Sequence, residues 1–380
     1  LVAATLLRGH MPLVVPQLRS ITLGGAVTGL GIESTSFRHG MPHESVLEMD
    51  VFTGAGELLT VGPDGPHADL FAAMPNSQGS LGYATRLRIE LQPIAPRVAL
   101  RTLAYDDLDA LMAAVDEVAT TGEWDGRRVD AMDAVMFEPA QSYLVLASFT
   151  DEPGGTSDYT GQRIFYRSLR ERRTDLLTAY DYLWRWDTDW FWCSRAFGAQ
   201  HPALRRLWPA RYRRSDVYHR LLGLEDRYRF AARIDRWRGK PATERVVQDV
   251  EVPADRAAGW LRWFAEHVGM SPVWLCPLRR REPAVSAYPL YPLPAGRTFV
   301  NAGFWGAVPI AAGARAGDVN RAIERTVTEA GGHKTLYSEA FYDRETFDLL
   351  YGGAAYRAAK ERYDPDSRLT GLYEKVVQRL

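Results

Sequence analysis

The densest chemical signal lies in residues 22–40. They read Thr22-Leu23-Gly24-Gly25-Ala26-Val27-Thr28-Gly29-Leu30-Gly31-Ile32-Glu33-Ser34-Thr35-Ser36 and close on Gly40. Four glycines in eight residues mark backbone held where a Cβ would clash. Successive exposed amides, with the hydroxyls of Thr22, Thr28, Ser34 and Ser36 beside them, make a nest for phosphate oxygens. The order is not a Rossmann fingerprint, because a third glycine and a preceding strand are lacking, and no Gly-Lys-Ser/Thr follows as in a P-loop. The plainer reading is a glycine-rich turn between strands.

Two later stretches carry acids at strand spacing. In 245–252, alternation puts Val247, Asp249 and Glu251 on one face and Gln248 on the other. Asp249 is either part of a wet face or a buried acid whose carboxyl stays protonated. In 334–341, Lys334, Tyr337 and Glu339 read as one face; they are either proton-handling groups beside a cation or ordinary surface residues. Asn301 is a candidate hydrogen-bond partner for a bound molecule. His39 and His43 are four apart, but Pro42 spoils a helix between them, so no metal pair is expected. No Gly-x-Ser-x-Gly elbow occurs, which disfavours a hydrolase. Cys193 and Cys276 lie among large aromatics or prolines and read as inert packing.

The elements that must position these residues are irregularly interleaved. Strands are expected at 45–52, 57–61, 83–91, 142–149, 245–252, 272–276, 298–304 and 334–341. Helices are expected at 69–73, 106–120, 255–267 and 318–330, the second because Leu108, Leu111, Met112 and Val115 recur at helical spacing. Gly79-Ser80-Leu81-Gly82 is a tight turn ahead of Tyr83, and Pro93 and Pro96 mark a boundary. Without a regular βαβ repeat the class is α+β. The domains expected are 1–97, 98–330 and 331–380.

The chain has 380 residues, 46 basic against 47 acidic, which argues against a nucleic-acid partner. No run of about 18 apolar residues is present, and two distant cysteines exclude a disulfide scaffold and a cysteine-only zinc site. A reducing, cytoplasmic setting is expected. Residues 163–238 hold eighteen arginines, nine acids and six of eleven tryptophans. Trp184, Trp186, Trp190 and Trp192, with the arginines up to 214, suit a peripheral membrane contact, since indole rings and guanidiniums settle at headgroup depth. The alternative is a packed core with arginines paired to Asp181, Asp187, Asp189 and Asp216.

Thr22-Leu23-Gly24-Gly25, then Asp69-Leu70-Phe71 and Gly79-Ser80-Leu81-Gly82, resemble the second half of the FAD-binding domain of the vanillyl-alcohol-oxidase/p-cresol-methylhydroxylase (PCMH-type) flavoproteins. Within it, Gly31-Ile32-Glu33-Ser34, Val246-Val247-Gln248-Asp249, Trp274-Leu275-Cys276-Pro277, and Leu336-Tyr337 leading to Arg344-Glu345-x-Phe347 resemble the Δ24-sterol reductase family in order and nearly end to end. The resemblance implies FAD held by Thr22, Gly24, Gly25, Thr28, Gly29, Gly31, Ser34, Ser36 and Gly40, with Gly79, Ser80, Gly82, Tyr83 and Lys334 around it. Above the flavin it implies an α+β cap or substrate domain. Ile32 stands where many members carry a histidine bound to flavin, so FAD is expected to be non-covalent. The chain opens Leu1-Val2-Ala3-Ala4 and reads as an internal start, with the family's N-terminal pyrophosphate loop lying ahead of it. Weak FAD binding by residues 1–380 alone is expected.

The implied reaction is reduction of an isolated C=C bond in a lipid, with NADPH as electron source. Asp249, Tyr337 and Glu339 are the catalytic candidates, and Gln248 and Asn301 the substrate contacts. A sterol side chain or a methylene-branched fatty acyl chain both suit. The arginine-rich composition, with four lysines, favours a bacterial protein and the acyl chain. An alcohol or sugar oxidase, and a lipid-binding protein with an inactive flavin fold, are the other classes carried forward.

Overall fold

The computed structural model describes residues 1–228, 241–281 and 287–380. The glycine segment is not an open loop: its first part is a short helix, α1 (Leu23–Thr28), whose N-cap Thr22 accepts from the Gly25 amide through its hydroxyl. A small antiparallel sheet follows, with β1 (Val46–Thr53) between β2 (Leu58–Val61) and β3 (Gly82–Ile89). Helix α2 (Ala68–Ala73) closes it, packing Leu70 and Phe71 on Val51 and Val61.

An eight-stranded antiparallel sheet forms the centre. Its strands are β4 (Arg97–Tyr105), β5 (Ala131–Glu138), β6 (Gln141–Thr150), β7 (Thr174–Thr178), β8 (Thr243–Pro253), β9 (Val273–Arg279), β10 (Thr298–Pro309) and β11 (His333–Lys334). They lie in the order β7-β4-β6-β5-β9-β10-β8-β11. One face is covered by α3 (Leu108–Thr121), α6 (Ala254–His267) and α7 (Asp318–Glu329). In α3 the Asp107 side chain caps the first turn and Leu111, Val115 and Val118 turn inward. Phe264 of α6 meets Phe304 of β10 at 4.5 Å, and both are fully buried. Each such ring contributes about 1.5–3 kcal/mol.

Residues 157–228 cover part of the opposite face, where Tyr182, Trp186, Phe191 and Trp192 pack on Val135, Trp274 and Cys276. The segment continues into α4 (Pro202–Leu207) and α5 (Ser215–Tyr228). The C-terminal stretch adds β11, α8 (Arg344–Leu350) and α9 (Gly353–Tyr363). Ala359 and Tyr363 of α9 join the core of the small sheet, so this stretch contacts both sheets.

One expected strand is cut short. Only His333 and Lys334 pair with β8, and residues 335–341 turn away. The Thr335 amide and hydroxyl both bond the Asp249 carbonyl, and the Leu336 amide takes Asn76 Oδ1, which ends the ladder.

Candidate active site

Strand register sets the site. In an antiparallel sheet, residues directly opposite share a face. Glu251 of β8 faces Asn301 of β10, which faces Cys276 of β9; one row along, Asp249 faces Gly303, which faces Trp274. This is the face away from the helices. Val246, Val250 and Val252 point the other way, into the helix layer, so the alternation expected over 245–252 is present.

Asp249 is 7% exposed and Glu251 0%. They are interior groups, not a wet face. Asp249 Oδ1 accepts from Asn301 Nδ2 at 2.8 Å and Oδ2 from the Tyr337 hydroxyl at 2.6 Å. The Tyr337 oxygen in turn accepts from Trp305 Nε1 at 2.8 Å. No cation contacts this carboxyl among the described residues. Burial therefore pushes its pKa up, to about 6, against the smaller opposing pull of Tyr337 and Asn301. Glu251 is raised well above its ordinary value by burial and by the charge of Asp249. Tyr291 neighbours it, yet neither carboxyl oxygen has a hydrogen-bond partner.

An aromatic wall stands beside Asp249. Phe191 lies 4.5 Å and Trp192 5.3 Å from the Trp305 ring, and Phe191 also meets Trp274 at 5.1 Å. Trp190 and Phe191 both have positive φ, 46° and 58°, a strained state for bulky residues. Gly303 makes the room: a Cβ there would lie 2.5 Å from Asp249 Oδ1 and 2.7 Å from the Trp305 ring. Trp305 and Gly303 were not singled out in the sequence, and Trp192 only as a membrane-facing ring. The glycine inside an apolar strand was the available signal, since it marks a close approach.

A second buried carboxylate lies on the same face. Asp133 Oδ2 accepts from Arg185 at 2.8 Å, Trp186 Nε1 at 3.0 Å and Trp274 Nε1 at 3.1 Å. Glu33 and Ser34 pack nearby: the Ser34 hydroxyl bonds the Glu33 carboxylate and lies 2.8 Å from the Tyr182 oxygen. Trp186, Phe191 and Trp192 are thus interior, and the membrane contact expected of Trp186 and Trp192 does not hold. Arg205 pairs with Asp189, Arg214 with Asp216 and Arg19 with Asp187, as in the packed alternative. Residues 229–238 of that segment lie outside the described residues.

The remaining candidates separate. Gln248 faces the helices and donates to Asn320 Oδ1 at 2.6 Å, away from Asp249. Lys334 is also turned to the helix side, 0% exposed, with Nζ 2.6 Å from Glu324 Oε1 and 2.6 Å from the Glu339 carbonyl. It is not solvated, and its ammonium is held by Glu324 and not by Asp249. Glu339 is exposed and paired with Arg379 at 2.9 Å, so it does not share a face with the Tyr337 hydroxyl. Cys193 and Cys276 are raised by burial, which keeps them as thiols. Among the described residues no cluster of three or more His, Cys, Asp or Glu could hold a metal.

In the glycine segment, the amides of Gly25, Ala26, Gly29 and Gly31 are satisfied within it, and the Thr28 hydroxyl bonds the Gly24 carbonyl. Ser34 and Ser36 are buried, with Ser36 Oγ accepting from the Glu33 amide. The positive φ of Gly40 lets the Glu44 carboxylate fold back onto it and cap the Met41 amide. What stays open is the start of α1. A hollow of about 260 Å³ lies there, lined by Arg19, Thr22, Leu23, Ala26, Tyr180 and Trp184. Arg19 lies over both aromatic rings, at 5.1 and 5.2 Å. Gly24 packs against the Ala84 carbonyl. The 76–82 turn docks on the far end of α1 through Gln78 N to Thr28 O, with Ser80 buried, Gly79 and Gly82 at positive φ and Tyr83 exposed.

No family model matches the chain. It is 23% identical to the Delta(24)-sterol reductase homolog dhcr-24 of Caenorhabditis elegans, over 98% of this chain and 72% of the relative. The Delta(24)-sterol reductase of Homo sapiens is 23% identical over 96% of this chain and 69% of its own length. A shorter stretch of 105 residues is 41% identical to cytokinin dehydrogenase 7 of Oryza sativa subsp. japonica, covering 28% of this chain and 20% of the relative. These likenesses support a place in the FAD-linked oxidoreductase superfamily. A protein of this superfamily leaves the electron chemistry to its flavin and contributes position and protons. Asp249 is a buried acid with no cation against it, a proton to give and an aromatic wall beside it; Glu251, two residues on, is a second buried acid with no cation against it.

Proposed function

We propose that the chain reduces an isolated carbon–carbon double bond of a lipid, with electrons passing from NADPH through FAD. The observation that carries this reading is Asp249, a buried carboxyl with neutral partners only, set beside an aromatic wall. An isolated alkene has no oxygen to hold the charge that hydride addition alone would create. A proton must come first, leaving a tertiary cation.

Asp249 gives that proton. With a pKa of about 6, roughly a tenth of the carboxyl is protonated at pH 7. Asn301 and Tyr337 fix the two oxygens, and the faces of Trp305, Phe191 and Trp192 steady the cation. FAD, when bound and reduced, would supply the hydride that completes the C–H pair. Asp249 is then reprotonated from solvent. Thr22 and Leu23 would hold the cofactor together with Arg19, whose guanidinium suits a diphosphate. The hollow lined by Arg19, Thr22 and Leu23 has room for part of such a group. Ile32 leaves the attachment non-covalent.

The named relatives favour a sterol side chain as substrate, and a methylene-branched acyl chain yields the same kind of cation. The cytokinin dehydrogenase match favours a second reading, an oxidation in which ionised Asp249 accepts a proton. Anaerobic reduction with NADPH followed by each lipid alkene separates them. The reductase reading expects flavin re-oxidation and a saturated product carrying at least one solvent deuterium in D2O. Reduction by an alcohol, re-oxidation only by oxygen and no saturated product would contradict it.

A further inference from the structure

We propose that α4, the turn after it and the outer stripe of α5 form a surface that docks on an anionic lipid bilayer. Leu207 is 81% exposed, and Leu204, Tyr212 and Leu224 are exposed beside it. They border a shallow groove of about 420 Å³ lined by Leu204, Leu207, Trp208, Tyr212, Val217 and Leu221. Val217, Leu221 and Leu224 fall on one stripe of α5 at i, i+4 and i+7. The inner side of that helix is anchored by buried Tyr218, whose hydroxyl donates to the Thr188 carbonyl. The apolar stripe lies to one side of Tyr218: Val217 and Leu221 are half-buried and wall the groove, and Leu224 at its end is exposed.

Guanidiniums fringe this surface. Arg206 of α4 and Arg220 of α5 are exposed and have no ion-pair partner among the described residues, and exposed Arg211 stacks on Tyr212 at 4.8 Å. This concentration stands out in a chain of net charge −1. Apolar tips, amphipathic Trp208 and Tyr212, and arginines around them match a membrane interface, where hydrocarbon and negative charge lie at adjacent depths. A second copy of this chain fits poorly. A two-fold pairing would set arginine fringe against arginine fringe. The surface is distinct from Trp186, Phe191 and Trp192, which are interior, and does not depend on the chemistry at Asp249.

Flotation of the full chain with phosphatidylcholine vesicles, with and without phosphatidylserine, tests this. Binding to the anionic vesicles, lost at high salt and weak on phosphatidylcholine alone, is expected. Arg206→Gln, Arg211→Gln and Arg220→Gln should each weaken it about five-fold. Leu207→Asp should abolish it without changing the thermal transition, since the side chain is already in solvent. Absence of anionic flotation overturns the proposal, as does flotation that none of these variants reduces. Self-association abolished by Leu207→Asp, with no flotation, assigns the surface to a second copy and also overturns it.

Discussion

Asp133 and Asp249 lie on the same face of one sheet, separated by β9 and β10, and they are solved in opposite ways. Asp133 meets a guanidinium and two indole donors, all buried with it. That arrangement satisfies a charge and locks residues 182–192 onto the sheet. Asp249 meets a phenol and an amide, with no cation in contact. Ionising it in that setting is costly, so the proton is held tightly enough to be given away near neutral pH. The difference teaches that burial alone does not make a working acid. The charge of the neighbours decides.

The sharpest way to break this contrast is Asp249→Asn. It keeps the shape and removes the proton, so single-turnover flavin re-oxidation by a lipid alkene should fall about 10²- to 10⁴-fold. A loss of only two- or three-fold would place the acid elsewhere. On the other side, Arg185→Met strands Asp133 without its cation. Denaturant unfolding should show a loss of about 3–5 kcal/mol, largely restored by adding Asp133→Leu. If Arg185→Met is neutral, Asp133 is not held as described.

The pH dependence of stability sharpens the comparison next. Asp249 has a folded pKa above its unfolded value, so the folded state binds its proton more tightly. Its contribution is favourable at low pH and is lost as pH rises from about 4 through about 6. Asp249→Asn should therefore gain about 3 kcal/mol over wild type between pH 3 and pH 8. In the same window the reductase rate should fall as pH rises through about 6, whereas a dehydrogenase using the carboxylate as base should speed up. The smallest effect is expected from Tyr337→Phe. Loss of its donor raises Asp249 further, so the falling limb of the rate profile should move to higher pH. A limb that moves down, or stays, would deny Tyr337 its contact with the carboxyl.

Much of this was legible where the signal is local. Val246, Val250 and Val252 alternate with Asp249, and the apolar phase alone places the acid on the opposite face. Helical spacing in 108–119 likewise announced α3. What stayed hidden depends on distant partners. Lys334 looks solvated until Glu324, ten residues earlier on α7, is seen against it. The tryptophans of 184–192 look interfacial until Asp133 and Trp274 are placed beneath them. Residues 334–341 carry strand-like alternation, yet Asn76 and the Asp249 carbonyl capture the amides and turn the chain. The glycines of 24–31 announced close approach, but not that four nearby amides are satisfied by their own helix and turn.

The most direct test of the central claim is a pH titration of the Asp249 carboxyl by carbon-13 NMR, with Asp249→Asn to assign its resonance. A midpoint near pH 6 is predicted. A midpoint at or below the ordinary aspartate value of about 4 would show a carboxylate ionised at working pH, and the proton-donor role would fall.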